Sequence, residues 1–144
     1  MAGGRGRTGV VNVAAVRPAP VRRRQGWRRM EIRFLITDRM AGARTVCWWR
    51  TLFPPGAAHE KHVHRKADEV FYIIRGRGAH GLRDREVAVG PGDACFIPRG
   101  TVHWLRNLDA RRPIELVGAY VGAPNLRATG YRFVGPIGDA VRAP

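Results

Sequence analysis

The chain has 144 residues, with 26 Lys or Arg against 11 Asp or Glu and a formal charge of +15. That length suits one domain and is short for two. Two cysteines are too few for a disulfide framework, and no run of ~18 apolar residues exists to span a membrane. The charge does not make a nucleic-acid binder: 24 of the basic residues are Arg, eight lie in the first 29 residues, and no recognition motif accompanies them.

Residues 1–29 are rich in Arg, Gly, Pro and Ala without helical or strand periodicity. Such a segment buries too little apolar surface to offset its ordering entropy. It reads as a disordered tail, or as sequence upstream of a true start at Met30. Arg22-Arg23-Arg24 is followed by no apolar stretch long enough for twin-arginine export. Cys47 and Cys95 sit in apolar runs and read as reduced core thiols, so a cytoplasmic protein is expected.

From Glu31 the pattern changes to short apolar runs separated by turns. Ile32–Thr37 predicts a strand, Asp38–Arg44 a turn, and Thr45–Phe53 a strand rich in β-branched and aromatic residues. His59–His64 is short and polar. Val70–Ile74, His80–Leu82, Glu86–Val89, Ala94–Ile97, Val102–Arg106 and Ile114–Val121 follow as strands, with Gly/Pro turns between them and an Asp84-Arg85 turn after Leu82. Tyr131–Val134 predicts a last edge strand. Many short strands with regular turns and no helical stripe indicate an all-β sandwich or barrel over residues 30–135, with 136–144 as a C-terminal tail.

Within it, His62 and His64 are two residues apart, so a strand places both side chains on one face. Glu69 opens the next strand and His103 comes from a later one. Imidazole and carboxylate together fit one divalent transition metal, Fe, Mn, Ni, Cu or Zn, without choosing among them. Four ligands on an octahedral ion leave positions open for substrate, as a catalytic site requires.

The spacing Gly56-x5-His62-x-His64-x4-Glu69-x6-Gly76 resembles the first motif of the cupin superfamily. Gly92-x5-Pro98-x-Gly100-x2-His103-x3-Asn107 resembles the second, and the fifteen residues between them resemble the short spacing of small bacterial cupins. The resemblance implies a double-stranded β-helix, a jelly-roll barrel, with the metal inside. It implies His62, His64, Glu69 and His103 as ligands, turn roles for the glycines and Pro98, and a turn-fixing role for Asn107. It also implies a homodimer, which would cover exposed strand edges and aromatics such as Trp48 and Tyr120 and in which strand Ile32–Thr37 would pair across the interface.

Alternation suggests Phe71, Ile73 and Leu105 as pocket walls. It leaves open whether Trp48, Arg50 and Leu52 or Cys47, Trp49 and Thr51 face inward. An inward Arg50 would clamp an anionic substrate. Tyr72 and Trp104 are expected to face outward, and His59 and His80 are candidate acids or bases besides surface or loop residues. No catalytic residue is assigned. Three functions remain, in this order: a mononuclear dioxygenase-like enzyme acting on a small molecule; a non-redox isomerase, epimerase or polyketide-cyclase-like enzyme; and a non-catalytic sugar or small-ligand binder.

Overall fold

A computed structural model describes residues 9–138, so parts of both expected tails lie outside the described residues. Eleven strands form two antiparallel sheets, and the only α-helix among the described residues is a single turn, Asp38–Ala41. The strands are β1 (Trp27–Arg28), β2 (Glu31–Ile36), β3 (Val46–Phe53), β4 (Ala58–His64), β5 (Asp68–Arg75) and β6 (Gly78–Leu82). They continue with β7 (Arg85–Val89), β8 (Ala94–Ile97), β9 (His103–Arg106), β10 (Ile114–Val121) and β11 (Tyr131–Gly135). One sheet runs β1-β4-β9-β6-β7, with β11 also paired to β4; the other runs β2-β3-β10-β5-β8. This is the jelly-roll barrel that the motifs imply.

Alternation sorts the strands between core and solvent. On β3, Cys47, Trp49, Thr51 and Phe53 are buried, whereas Trp48 is exposed. Arg50 therefore faces out and cannot clamp a substrate inside: it pairs with Glu115 at 2.8 Å and lies 3.7 Å from Glu31. Tyr72 faces out, as expected. Trp104 is buried: it packs under Lys61, 5.0 Å from the ring centroid, and donates its Nε1–H to Glu86 at 2.6 Å. The four motif glycines, at positions 56, 76, 92 and 100, all have φ between 76° and 91°, the left-handed region that glycine enters without a Cβ penalty. Asn107 fixes its turn by donating to the Phe53 and Arg112 carbonyls and accepting from the Asp109 N–H.

The N-terminal expectation needs correction. Over its described part the segment is not a disordered tail. Trp27 is 4% exposed, and β1 pairs with β4 through Trp27 opposite His59 and Arg28 opposite Ala58. The Arg33 guanidinium donates to the Val13 and Val16 carbonyls, and the Ala19 N–H to Ile32. Composition averaged over 29 residues hid one large anchor; a buried Trp and a few backbone bonds suffice to hold the strap. Gly26 shows how closely it lies: a Cβ there would sit 2.8 Å from the Phe133 ring.

β2 pairs with β3 inside the chain, and its other edge carries no partner strand among the described residues. The predicted hairpin turn after Leu82 falls one residue earlier, at Arg83-Asp84. Both cysteines are free, and burial pushes the thiol of Cys47 up to about 12 and that of Cys95 up to about 11.

Candidate metal centre

β4 is polar in sequence yet almost wholly buried, because β9 covers one edge and β1 and β11 share the other. A bulge shifts its register with β9 between His59 and His62. The extra residue turns His59 to the same side as His62, although they are three positions apart. Their rings stack with centroids 3.5 Å apart. His62 and His64 point into the barrel from β4, His103 joins them from β9, and Glu69 reaches across from β5 in the opposite sheet.

The four side chains are buried, and one potential ligand atom from each lies within 4.8 Å of the others. Glu69 Oε2 is 2.7 Å from His103 Nε2 and 3.3 Å from His64 Nε2. Burial alone would raise the Glu69 carboxyl, but His103 and His64 beside it hold it well below the usual carboxylate range.

The outer nitrogen of each ligand histidine is committed. His62 Nδ1 donates to the Glu60 carbonyl at 2.6 Å and His103 Nδ1 to the Thr101 carbonyl at 2.9 Å. His64 Nδ1 lies 2.9 Å from Thr129 Oγ1, whose own hydroxyl donates to the Leu126 carbonyl at 2.6 Å. The Thr129 oxygen must therefore accept from His64. All three rings are set as Nδ1–H tautomers, leaving Nε2 lone pairs for a common point. His62 Nε2 and His64 Nε2 are buried and have no hydrogen-bond partner. A bare Nε2 facing a carboxylate oxygen at 2.7 Å needs a proton or a metal cation between them. The donor set thus fits a divalent metal, and these residues can hold one.

Both additional histidines lie in this cavity rather than at the surface. His59 is sandwiched between Trp27, at a centroid distance of 3.9 Å, and His62. Its Nε2 lies 3.1 Å from the Tyr131 oxygen, and the Tyr131 hydroxyl donates to the Gln25 carbonyl, so His59 is the donor. His80 Nδ1 donates to the Trp104 carbonyl at 3.0 Å, and its Nε2 makes no hydrogen bond among the described residues. Burial lowers the proton affinity of His59, His62 and His80. Tyr120, opposite Glu69 on β10, also lines the cavity, and burial raises its hydroxyl well above its ordinary value.

The space is small, about 20 Å³, and is walled by Trp27, Trp49, Phe71, Leu105 and Leu116 besides the polar groups. Ile73 is buried, but the cavity is lined without it. Sequence reasoning missed Trp27 and Thr129, and the expectation that Tyr120 is an exposed aromatic is corrected: it is buried inside the barrel. A lone Trp in an Arg-rich stretch was the only signal for Trp27. Thr129 and His64 meet from positions 65 residues apart.

A family profile described as the cupin domain matches residues 49–120, half of the chain. Among curated proteins, the chain is 25% identical to the oxalate-binding protein of Thermotoga maritima over 99 residues, covering 68% of this chain and 82% of that one. It is 27% identical to germin-like protein subfamily 2 member 4 of Arabidopsis thaliana, and the match spans about half of that protein, 52%. Among solved structures, the polyketide cyclase RemF from Streptomyces resistomycificus superposes with a TM-score of 0.68 at 28% identity, covering 90% of this chain and 87% of that one. A predicted oxalate decarboxylase from Thermotoga maritima gives a TM-score of 0.69 at 23% identity, covering 78% and 98%. No helix among the described residues is long and apolar enough to cross a membrane.

Proposed function

The chain belongs to the cupin family, and from that premise we propose that it is a metal-dependent enzyme doing acid–base chemistry on a small carbonyl compound. His62, His64, Glu69 and His103 would hold one divalent metal per chain. When bound, the metal would polarise a carbonyl oxygen as a Lewis acid. One observation carries this reading: the cavity holds proton-handling groups beyond the four ligands. His80 presents an uncommitted Nε2 lone pair, and the Tyr120 hydroxyl is held protonated. His80 would accept a proton from the carbon beside the carbonyl, while its Nδ1–H keeps the ring fixed on Trp104. Tyr120 would donate a hydrogen bond to the substrate oxygen. His59 is stacked on both faces and its Nε2–H is engaged, so its role is to hold His62 in place. The long match to a polyketide cyclase supports this reading over the oxygenase that the sequence placed first.

A second reading draws on cavity size. About 20 Å³ is room for roughly one water, so only a compact ligand suits the metal, and a curated relative is an oxalate-binding protein. Retention of a small dicarboxylate on the metal would fit those facts. The edge of β2, which carries no partner strand among the described residues and is bridged there by a single backbone bond from Ala19, and exposed Trp48 support a homodimer, with β2 pairing across the interface; light scattering at a monomer mass would overturn it.

The test is deuterium exchange into pentane-2,4-dione by zinc-loaded protein, followed by NMR, with oxygen uptake by Fe(II)-loaded protein measured in parallel. Exchange that His80→Phe abolishes, with no enzyme-dependent oxygen uptake, is expected. Oxygen uptake without exchange would replace this reading with the oxygenase.

A further inference from the structure

His80 also lies on the border of a second space. Besides the metal cavity, it lines a cleft of about 470 Å³ between the β6–β7 hairpin and β8. That volume is in the range of small-molecule sites, whereas the inner cavity is far below it. The cleft walls are apolar, with Leu82 and Val87 on the hairpin and Phe96 on β8; Val87 is 56% and Phe96 58% exposed. Its rim carries Arg83, Asp84 and Arg85, and neither arginine forms an ion pair among the described residues. Arg83 has a φ of 60°, a left-handed position that glycine would occupy at lower cost. His80 itself is 6% exposed, and its Nε2 has no hydrogen-bond partner among the described residues.

We infer that this cleft binds the body of the substrate, an apolar molecule bearing one carboxylate. Its apolar body would lie between Leu82, Val87 and Phe96, its carboxylate on Arg83 and Arg85, and its reacting end against His80. Two uncommitted guanidiniums favour an anion, and each charge-assisted contact adds more than a neutral hydrogen bond. The negative Asp84 between them disfavours a dianion. The assignment rests on the acid–base reading of His80, and it resolves the mismatch between a cavity of about 20 Å³ and an organic substrate.

The probe is 2-naphthoate, titrated by fluorescence and calorimetry against zinc-loaded and metal-free protein, with naphthalene-2-carboxamide as the neutral control. Binding to both forms is expected, about tenfold weaker for the amide and for the Arg83→Gln/Arg85→Gln double variant, the equivalent of one charge-assisted contact. Leu82→Trp, which fills the cleft, should abolish it; Val87→Trp serves if that variant does not fold. Zinc content should be unchanged in the arginine variant. No binding, equal binding by the double variant, or binding that vanishes only when zinc is removed would overturn the inference; the last result places the carboxylate on the metal. Naphthoate binding by a protein that retains no metal would instead sink the metal reading and leave the cleft standing.

Discussion

The two flanks of the barrel are built differently. On one flank, β1 and β11 lie end to end along the outer edge of β4, and a continuous stack runs Trp27, His59, His62 from the strap to the metal site. On the other, the β6–β7 hairpin and β8 leave a cleft whose apolar walls are exposed. The first flank packs behind a candidate ligand; the second borders the same cavity at His80. The apparently dispensable N-terminal segment therefore belongs to the site, because Trp27 provides one of its walls.

Removing the wall should produce the largest change. Trp27→Ala deletes a buried indole and the packing on His59, at a cost of about 3 kcal/mol or more. A chain starting at Met30 loses β1 altogether. Both should show a lowered unfolding midpoint and faster metal loss to a chelator. If chelation rates match the wild type, the strap does not guard the site.

Next in size is Thr129→Val, which removes the acceptor that fixes His64. Loss of such a partner typically weakens metal binding roughly 10- to 100-fold. Competition with a chromogenic chelator measures this. Thr129→Ser, which keeps the hydroxyl, should restore most of the affinity, and equal loss in both variants would contradict the tautomer assignment.

Acid should expose the same flank in metal-free protein. His59 and His62 have folded proton affinities well below the ordinary value of 6.5, and His80 is also lowered, burial being the main cause in each. The unfolded chain therefore takes up protons that the folded chain resists, so stability is full above that value and falls as pH drops below it. Glu69 adds a further loss at still lower pH, since its folded carboxyl is depressed. Thermal unfolding scans from pH 8 to pH 5 should show a falling midpoint, and a flat profile would mean that these rings are not buried neutral.

The smallest effect is expected on the open flank. Val87→Ser alters an exposed side chain and should change stability by under ~0.5 kcal/mol while weakening naphthoate binding. A larger loss of stability would mean that the cleft is packed in solution.

This contrast also explains what the sequence revealed. The strands from Glu31 onward were legible because alternation and Gly/Pro turns are local signals, and the four candidate ligands because their spacing is fixed within two motifs. The bulge that turns His59 inward left no trace, since it depends on register with a strand more than 40 residues away. Tyr131 and Gln25 meet across 106 residues, so the clamp on His59 was equally hidden. The cleft emerges only when the β6–β7 hairpin of one sheet is set beside β8 of the other.

The central claim is that three tautomer-fixed imidazoles and one carboxylate hold a metal. Elemental analysis of purified protein, wild type and His103→Ala, tests it most directly. The account predicts about one transition metal per wild-type chain and less than about a tenth of that in a folded His103→Ala variant, because ligation and folding are coupled but the barrel does not depend on the ion alone. Equal metal in both proteins, or none in the wild type after reconstitution, would contradict it.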